Sequence, residues 1–319
     1  MSNNELTFRF LAAPTDIGLQ GKVPGGRVLE WIDKAAYGIA VAWAKKPTVT
    51  AYVGNVVFNH AIANGELVET NARIVRTGRT SMTILVTVRA GSPQSTEMHE
   101  ACRCALVFVA IDENGKSVEV PPFVPQTELD QKFFNDAEEL NKSRQEIEQL
   151  MSRASYTDAG QGERITMRFL AKPTDVNWGG KVHGGTVMGW IDEAAYACAQ
   201  RWTGGEAIAV YAGGVRFYRP MIIGHLVEIE ARLLHTTEKT MHISVHVRTG
   251  DPTTRLMELT CHCLMVLVGL DDKGEPTDIT QWRPTIGEDI ALDRHAQDLQ
   301  EARQSHGYMD LFVAPAGLE

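Results

Sequence analysis

One stretch of this chain is written twice, and that repeat bounds what the chain can fold into. Residues 173–196 read PTDVNWGGKVHGGTVMGWIDEAAY and residues 14–37 read PTDIGLQGKVPGGRVLEWIDKAAY, each position of the later copy lying 159 residues after its counterpart. Held at that offset without a gap, residues 7–115 superpose on 166–274 with roughly two residues in five identical, the mark of a duplicated structural unit. The offset persists further, since Pro125 falls on Pro284, Ala137 on Ala296, Leu140 on Leu299 and Arg144 on Arg303. The 319 residues therefore divide into two paralogous domains of about 150 residues, each long enough to bury its own core. The divisions expected are 1–150, a linker at 151–165, and 166–319, whose last fifteen residues have no counterpart in the repeat.

Within the first copy, residues 7–12 alternate as a short strand, a loop follows, and a helix is expected from about Gly25 to Trp43, ended by Lys45, Lys46 and Pro47. Runs rich in β-branched residues come next at 48–58, 66–78, 80–91 and 98–112, separated by turn residues such as Asn64-Gly65 and Gly91-Ser92-Pro93. One long helix and about five strands at hairpin-like spacing argue for an α+β fold, an antiparallel sheet wrapped around a single buried helix. Residues 126–150 read as an amphipathic surface helix with Phe133, Phe134, Ala137 and Leu140 inward, and residues 286–304 mirror it.

The duplicated stretch joins a polar, glycine-rich loop to an apolar helix. In the second copy Val187, Trp190, Ile191, Ala194 and Ala195 fall on one helical face, too apolar for solvent. His183, Gly184 and Gly185 stand at the helix entry, where glycines let backbone N–H groups approach a ligand and the unpaired first-turn donors favour negative charge. Asp192 lies about two turns on, and a carboxylate in so apolar a run needs a partner or a task. Asn177 precedes the glycines.

The net charge of −9 offers no basic field for nucleic acid or an anionic membrane. Cys102/Cys104 and Cys261/Cys263 are C-x-C pairs inside alternating runs, which puts each pair on one strand face as buried thiols; Cys198 stands alone. His225, His242, His246 and His262 are scattered along strand runs and read as surface or lining residues, so neither a metal nor another cofactor is expected. The opening MSNNELTFRFLAAP lacks a charged region followed by a long apolar run, and no segment reaches about 18 apolar residues, so a cytoplasmic protein is expected.

The second copy fits P-x-D-x-N-x-x-G-x-V-H-G-G followed seven residues later by Asp, and with VRTGRTSM in the first copy and VRFYRPMIIGHLVEIEARL in the second it resembles the tandem-hotdog acyl-CoA thioesterases. The resemblance covers residues 7–145 and 166–304. It implies two hotdog domains paired as a pseudo-dimer, their sheets joined, with each active site built from the loop and helix start of one domain and the helix aspartate of the other. Carried over, it puts Asn177, His183, Gly184 and Gly185 with Asp33 in one site. The other, degenerate site holds Asp192 with Gly18, Gly25 and Gly26, because Gly18 replaces the asparagine and Pro24 the histidine. Thioester hydrolysis needs a base or nucleophile, assigned to Asp33, and donors for the developing oxyanion, assigned to the Gly184 and Gly185 N–H groups, with Asn177 holding the water. Arg79, Thr80 and Ser81 are the candidate partners of the CoA phosphates, and no G-x-S-x-G elbow offers a serine route. The expected partners are an acyl-CoA substrate, with CoA as part of it, and two further copies of the chain in a homotrimer. A hotdog hydratase or dehydratase, or a non-catalytic acyl-CoA-binding protein, remains the alternative.

Overall fold

The computed structural model describes residues 4–18, 21–177, 179–305 and 311–313. Parts of the tail without a counterpart in the repeat, 306–310 and 314–319, lie outside the described residues.

The first copy comprises β1 (Glu5–Leu11), α1 (Gly25–Ala44), β2 (Thr48–Val53), β3 (Val56–Phe58), β4 (Leu67–Thr77), β5 (Ser81–Gly91), β6 (His99–Ala110) and α2 (Glu128–Arg153). The second runs β7 (Arg164–Leu170), α3 (Gly184–Thr203), β8 (Glu206–Phe217), β9 (Leu226–Thr236), β10 (Thr240–Gly250), β11 (Glu258–Leu270) and α4 (Gly287–Ser305). The run 48–58, expected as one strand, is broken at Gly54, whose N–H bonds the carbonyl of Ala105 at 2.8 Å and whose missing side chain leaves room for that same oxygen. Helix α1 ends as expected, Lys45 adopting a left-handed conformation (φ 52°) in which its N–H caps Val41.

The strands form a single antiparallel sheet of eleven, in the order β1-β4-β5-β6-β2-β8-β11-β10-β9-β7, with β3 bridging β6 and β8. The seam between the copies is β2 against β8, where Tyr52 pairs with Arg216 and Val53 with Val215. Helices α1 and α3 lie side by side under the sheet, and their contact explains two glycines, Gly26 and Gly185. A Cβ on Gly26 would meet Gly189 Cα at 2.8 Å, and one on Gly185 would meet Glu30 Cα at 2.8 Å, so the helices run antiparallel at backbone distance. Their apolar faces join both halves of the sheet in one continuous core that includes Ile32, Ala36, Ile191 and Ala195, all at most 1% exposed.

The other face of the sheet carries α2 and α4. Thr127 and Asp130 cap α2 reciprocally, each side chain accepting the other's backbone N–H at 3.0 and 3.1 Å. Phe133, Ala137 and Leu140 cover Val75, Leu85 and Ala105 of the first copy, while Ile147, further along the same helix, packs with Leu234, Leu264, Leu292 and Leu299 of the second. Helix α2 therefore crosses from one copy to the other and continues to Arg153, three residues into the stretch read as linker.

The cysteines are buried free thiols, as expected. His246 and His262 correct the reading of surface or lining residues, whereas His242 lines a cavity. His242, His246 and His262 are buried, because α4 and Tyr156 cover the face of β10 and β11 on which they stand. The His246 and His262 rings stack at 4.0 Å, and Ser244 bonds His262 Nε2 at 3.0 Å. Burial drives the His262 imidazole down to about 3, so it is neutral at pH 7.

Candidate active site

Each helix aspartate faces the helix start of the other copy. Asp33, 1% exposed, accepts the Gly185 N–H at Oδ2 (2.8 Å) and the Thr50 hydroxyl at Oδ1 (2.8 Å). His183 Nδ1 lies 2.8 Å from Asp33 Oδ2 and 3.1 Å from Gly185 N. One nitrogen cannot donate to the carboxylate and accept from the amide together. Since Gly185 N–H already has the carboxylate oxygen, the consistent assignment puts the proton on Nδ1 and has both N–H groups converge on Asp33. Three donors from two copies thus satisfy this buried carboxylate.

Asp192 occupies the equivalent position, but the only one of these contacts it keeps is the Gly26 N–H at 2.9 Å. Pro24 stands where His183 does, and Ala209 stands where Thr50 does. Burial, with a like charge from Glu193 added, raises the Asp192 carboxyl to about 6 against the opposing Gly26 bond. Thr50 was not among the sequence candidates; its signal was present in the repeat, as a hydroxyl at 50 opposite an alanine at 209.

The Thioesterase superfamily domain matches the chain twice, at residues 20–97 and 179–255. The chain carries two thioesterase-superfamily domains, one in each copy. Mouse acyl-coenzyme A thioesterase 11 is 24% identical over 321 residues, covering 96% of this chain and 54% of that protein. Human cytosolic acyl coenzyme A thioester hydrolase is 30% identical over 138 residues, covering 43% of this chain and 36% of its own length. The chain spans about half the length, or less, of these mouse and human relatives. A Lactobacillus plantarum structure named as an oleoyl thioesterase superposes with a TM-score of 0.61 over 85% of this chain and 99% of that one; at 11% identity the likeness is one of fold.

Between the two thioesterase domains lies a cavity of about 290 Å3 lined by Thr50, Asn177, Lys181, Gly184, Tyr218 and Arg219, among others. Asn177 therefore shares a cavity with Thr50 and Gly184, but its Oδ1 already accepts from Gly179 N (2.8 Å) and Lys181 N (3.1 Å). Asn177 is expected to hold the water; the loop consumes its acceptor, so Nδ2 is the group left to do so. The oxyanion expectation narrows in the same way. Gly185 N–H is committed to Asp33, and Gly184 N–H, at the first residue of α3, makes no bond among the described residues. Gly184 must be glycine, because a Cβ there would meet Thr50 Oγ1 at 2.9 Å.

Arg79 and Thr80 lie in the β4–β5 turn and Ser81 opens β5, all outside this cavity, and the Arg79 guanidinium is exposed, 3.8 Å from Glu119. The turn abuts the cavity wall all the same: Thr80 O accepts from Ala110 N at 3.0 Å, next to Ile111, and Ser81 pairs with Val109. The cations in the wall itself are Lys181 and Arg219, and Arg219 is ion-paired with Glu258.

The Asp192 side has a larger cavity, about 460 Å3, lined by Gly18, Lys22, Pro24, Gly25, Gly26 and Asp192, among others. Its size follows in part from small side chains, Gly18 and Ala209 standing where Asn177 and Thr50 fill the other cavity. A Cβ on Gly18 would come within 2.8 Å of the Pro24 ring, so the asparagine and the histidine of this loop can be restored only together.

Proposed function

We propose that this chain hydrolyses acyl-CoA thioesters to the free acid and CoA at one composite site, with Asp33 of the first domain as the working carboxylate. The observation that carries the reading is the convergence on Asp33 of the Gly185 N–H and His183 Nδ1 from the second domain and the Thr50 hydroxyl from the first. These bonds fix the orientation of a carboxylate that would otherwise rotate, which is what a base acting on a bound substrate requires. Asp33 takes a proton from water as that water attacks the thioester carbonyl, or it attacks the carbonyl itself and the mixed anhydride that forms is then hydrolysed by water. In either course the C–S bond breaks, the thiol leaves with a proton, and the acid remains. Charge developing on the carbonyl oxygen is met by the Gly184 N–H, and a donor of this kind is worth about 3–4 kcal/mol where it has been removed in other enzymes. The Asn177 amide, lining the same cavity, adds a second donor. Acyl-CoA hydrolases among the relatives support the substrate class.

The direct His183–Asp33 contact favours a second reading, a hydratase or dehydratase in which that pair moves the proton of a water added across an enoyl-CoA double bond. Release of free thiol from a panel of acyl-CoAs separates the two, because a hydratase consumes enoyl-CoA without freeing thiol. In the same assay Asn177→Asp should keep the loop acceptor and the folded stability but lose the Nδ2 donor. The expected result is a fall in kcat of about tenfold or more with little change in KM and in Tm. An unchanged kcat in Asn177→Asp would confine Asn177 to shaping the loop, and no thiol release from any chain length would end the hydrolase reading.

A further inference from the structure

A further cavity lies on the opposite face of the sheet, at the junction of the two domains. It has a volume of about 580 Å3, within the range of small-molecule sites, and opens between the end of α4 and strands β3, β6, β8, β10 and β11. That it lies away from α1 and α3 follows from strand alternation: Leu234 and Leu264 pack with α4, whereas their neighbours Leu233, Cys263 and Met265 belong to the core around α1 and α3.

Three of its lining side chains keep a buried polar atom without a hydrogen bond, namely Asn55 Nδ2, His242 Nδ1 and Arg303 Nη2. Buried donors in a folded chain are rarely left in this state, and three around one cavity mark a place where something else completes the bonds. The groups form one constellation. Tyr211 donates its hydroxyl to Asn55 Oδ1 at 2.5 Å, and the Arg303 guanidinium lies 4.5 Å from the Tyr211 ring centre, held from behind by an Nε bond to Leu299 O at 2.8 Å. His242, 3% exposed, has its Nε2 3.4 Å from the Thr240 hydroxyl, which leaves Nδ1 as the N–H if that hydroxyl donates.

The charge balance selects the ligand. Arg103 in the same wall is matched by Glu100, through bonds of 2.8 and 2.5 Å, and also donates to the Phe312 carbonyl. Arg303 has no carboxylate partner among the described residues, so one positive charge of the lining is unmatched. Burial and the neighbouring Arg303 hold the His242 imidazole down at about 3, so it contributes a donor and no charge at neutral pH. The rest of the wall includes Val57, Val266 and Val313.

We propose that this outer cavity binds a monocarboxylate with an apolar body, its carboxylate taken by Arg303 and Asn55 and its body laid against the three valines. One planar anion supplies enough acceptor sites for the orphaned donors and cancels the one unmatched charge. The site stands whether or not the chain is a hydrolase, although the acid that such a reaction frees is a ligand of this class.

The test is calorimetric titration of the full chain with octanoate in the presence of saturating CoA. Octan-1-ol serves as the body without the charge and inorganic phosphate as the charge without the body. Octanoate should bind the wild type, and Arg303→Gln should weaken it about tenfold or more, the usual cost of losing a bond to a charged group. Asn55→Asp keeps the oxygen that accepts from Tyr211 and turns the orphaned donor into a negative oxygen, so it should abolish binding. If Arg303→Gln shows no cooperative unfolding, Asn55→Asp decides alone. Absence of octanoate binding, equal affinity in Asn55→Asp, equal affinity for octan-1-ol, binding of phosphate alone, or displacement of octanoate by CoA would each overturn the assignment.

Discussion

Asp33→Asn should lower the rate of thiol release by about 10²–10⁴-fold, the range a positioned base supplies, while Asp192→Asn should leave it within a factor of a few. The substitution suits the site. An amide at 33 can turn its oxygen to the Gly185 N–H and to His183 and its NH2 to Thr50, whose hydroxyl accepts as readily as it donates. The packing and the helix pair survive, so the loss reports the missing carboxylate and not a failure to fold. At 192 the carboxylate has neither the histidine nor the hydroxyl, because Pro24 and Ala209 take their places, and nothing orients it toward a substrate. Equal losses in the two variants, read as kcat and KM from the same thiol assay, would mean that both sites work or that both acids only hold the helix pair together.

The second large effect is on stability, and it has the opposite sign from most changes of a buried residue. The Asp192 carboxyl is raised from 3.8 to about 6 by burial, so the folded chain holds a proton there that the unfolded chain gives up between those values. Below about pH 4 both states are protonated and Asp192 costs nothing. As pH rises through 4 to 6 the unfolded state ionises first and stability is lost, and above about 6 the full cost remains, about 3 kcal/mol as an upper figure. Asp192→Asn removes the ionisation and keeps an oxygen for the Gly26 N–H, so at pH 7–8 it should stabilise the chain by about 1–3 kcal/mol. Urea unfolding of both proteins from pH 4 to 8 should show curves that meet at the acid end and separate above pH 6. A variant less stable than wild type at pH 8, or a difference that does not change with pH, would show that Asp192 is held as a carboxylate by contacts of its own.

The duplication made most of this architecture legible. A constant offset gave two copies, the three-and-four spacing gave α1 and α3, and the β-branched runs gave the strands. The pairing of Asp33 with the opposite glycine loop came with the family resemblance, and the helix contact explains it physically: Gly26 and Gly185 let each helix start reach the other's aspartate. Illegible were the competitions among hydrogen bonds. Nothing local says that Asn177 Oδ1 is consumed by Gly179 and Lys181, or that Gly185 N–H is consumed by Asp33. The burial of His242 and His246 was half visible, since residues four apart on a strand share a face, but the cover over that face comes from α4, some fifty residues along the chain. Helix α2 looked like a surface helix of one domain because its periodicity is the same whichever sheet it covers.

We place catalysis in an aspartate and three polar groups, Thr50, Asn177 and His183, drawn from both domains. The most direct test rebuilds that set around Asp192. In a chain carrying Asp33→Asn, the changes Gly18→Asn, Pro24→His and Ala209→Thr supply the amide, the imidazole and the hydroxyl on the Asp192 side, and the first two must be made together because of the Pro24 ring. Thiol release from an acyl-CoA that the wild type hydrolyses is measured against Asp33→Asn alone. A recovery of about tenfold or more over that background is expected. A variant that unfolds cooperatively at the wild-type temperature and yet releases no more thiol than Asp33→Asn would contradict the assignment of the chemistry to those four groups.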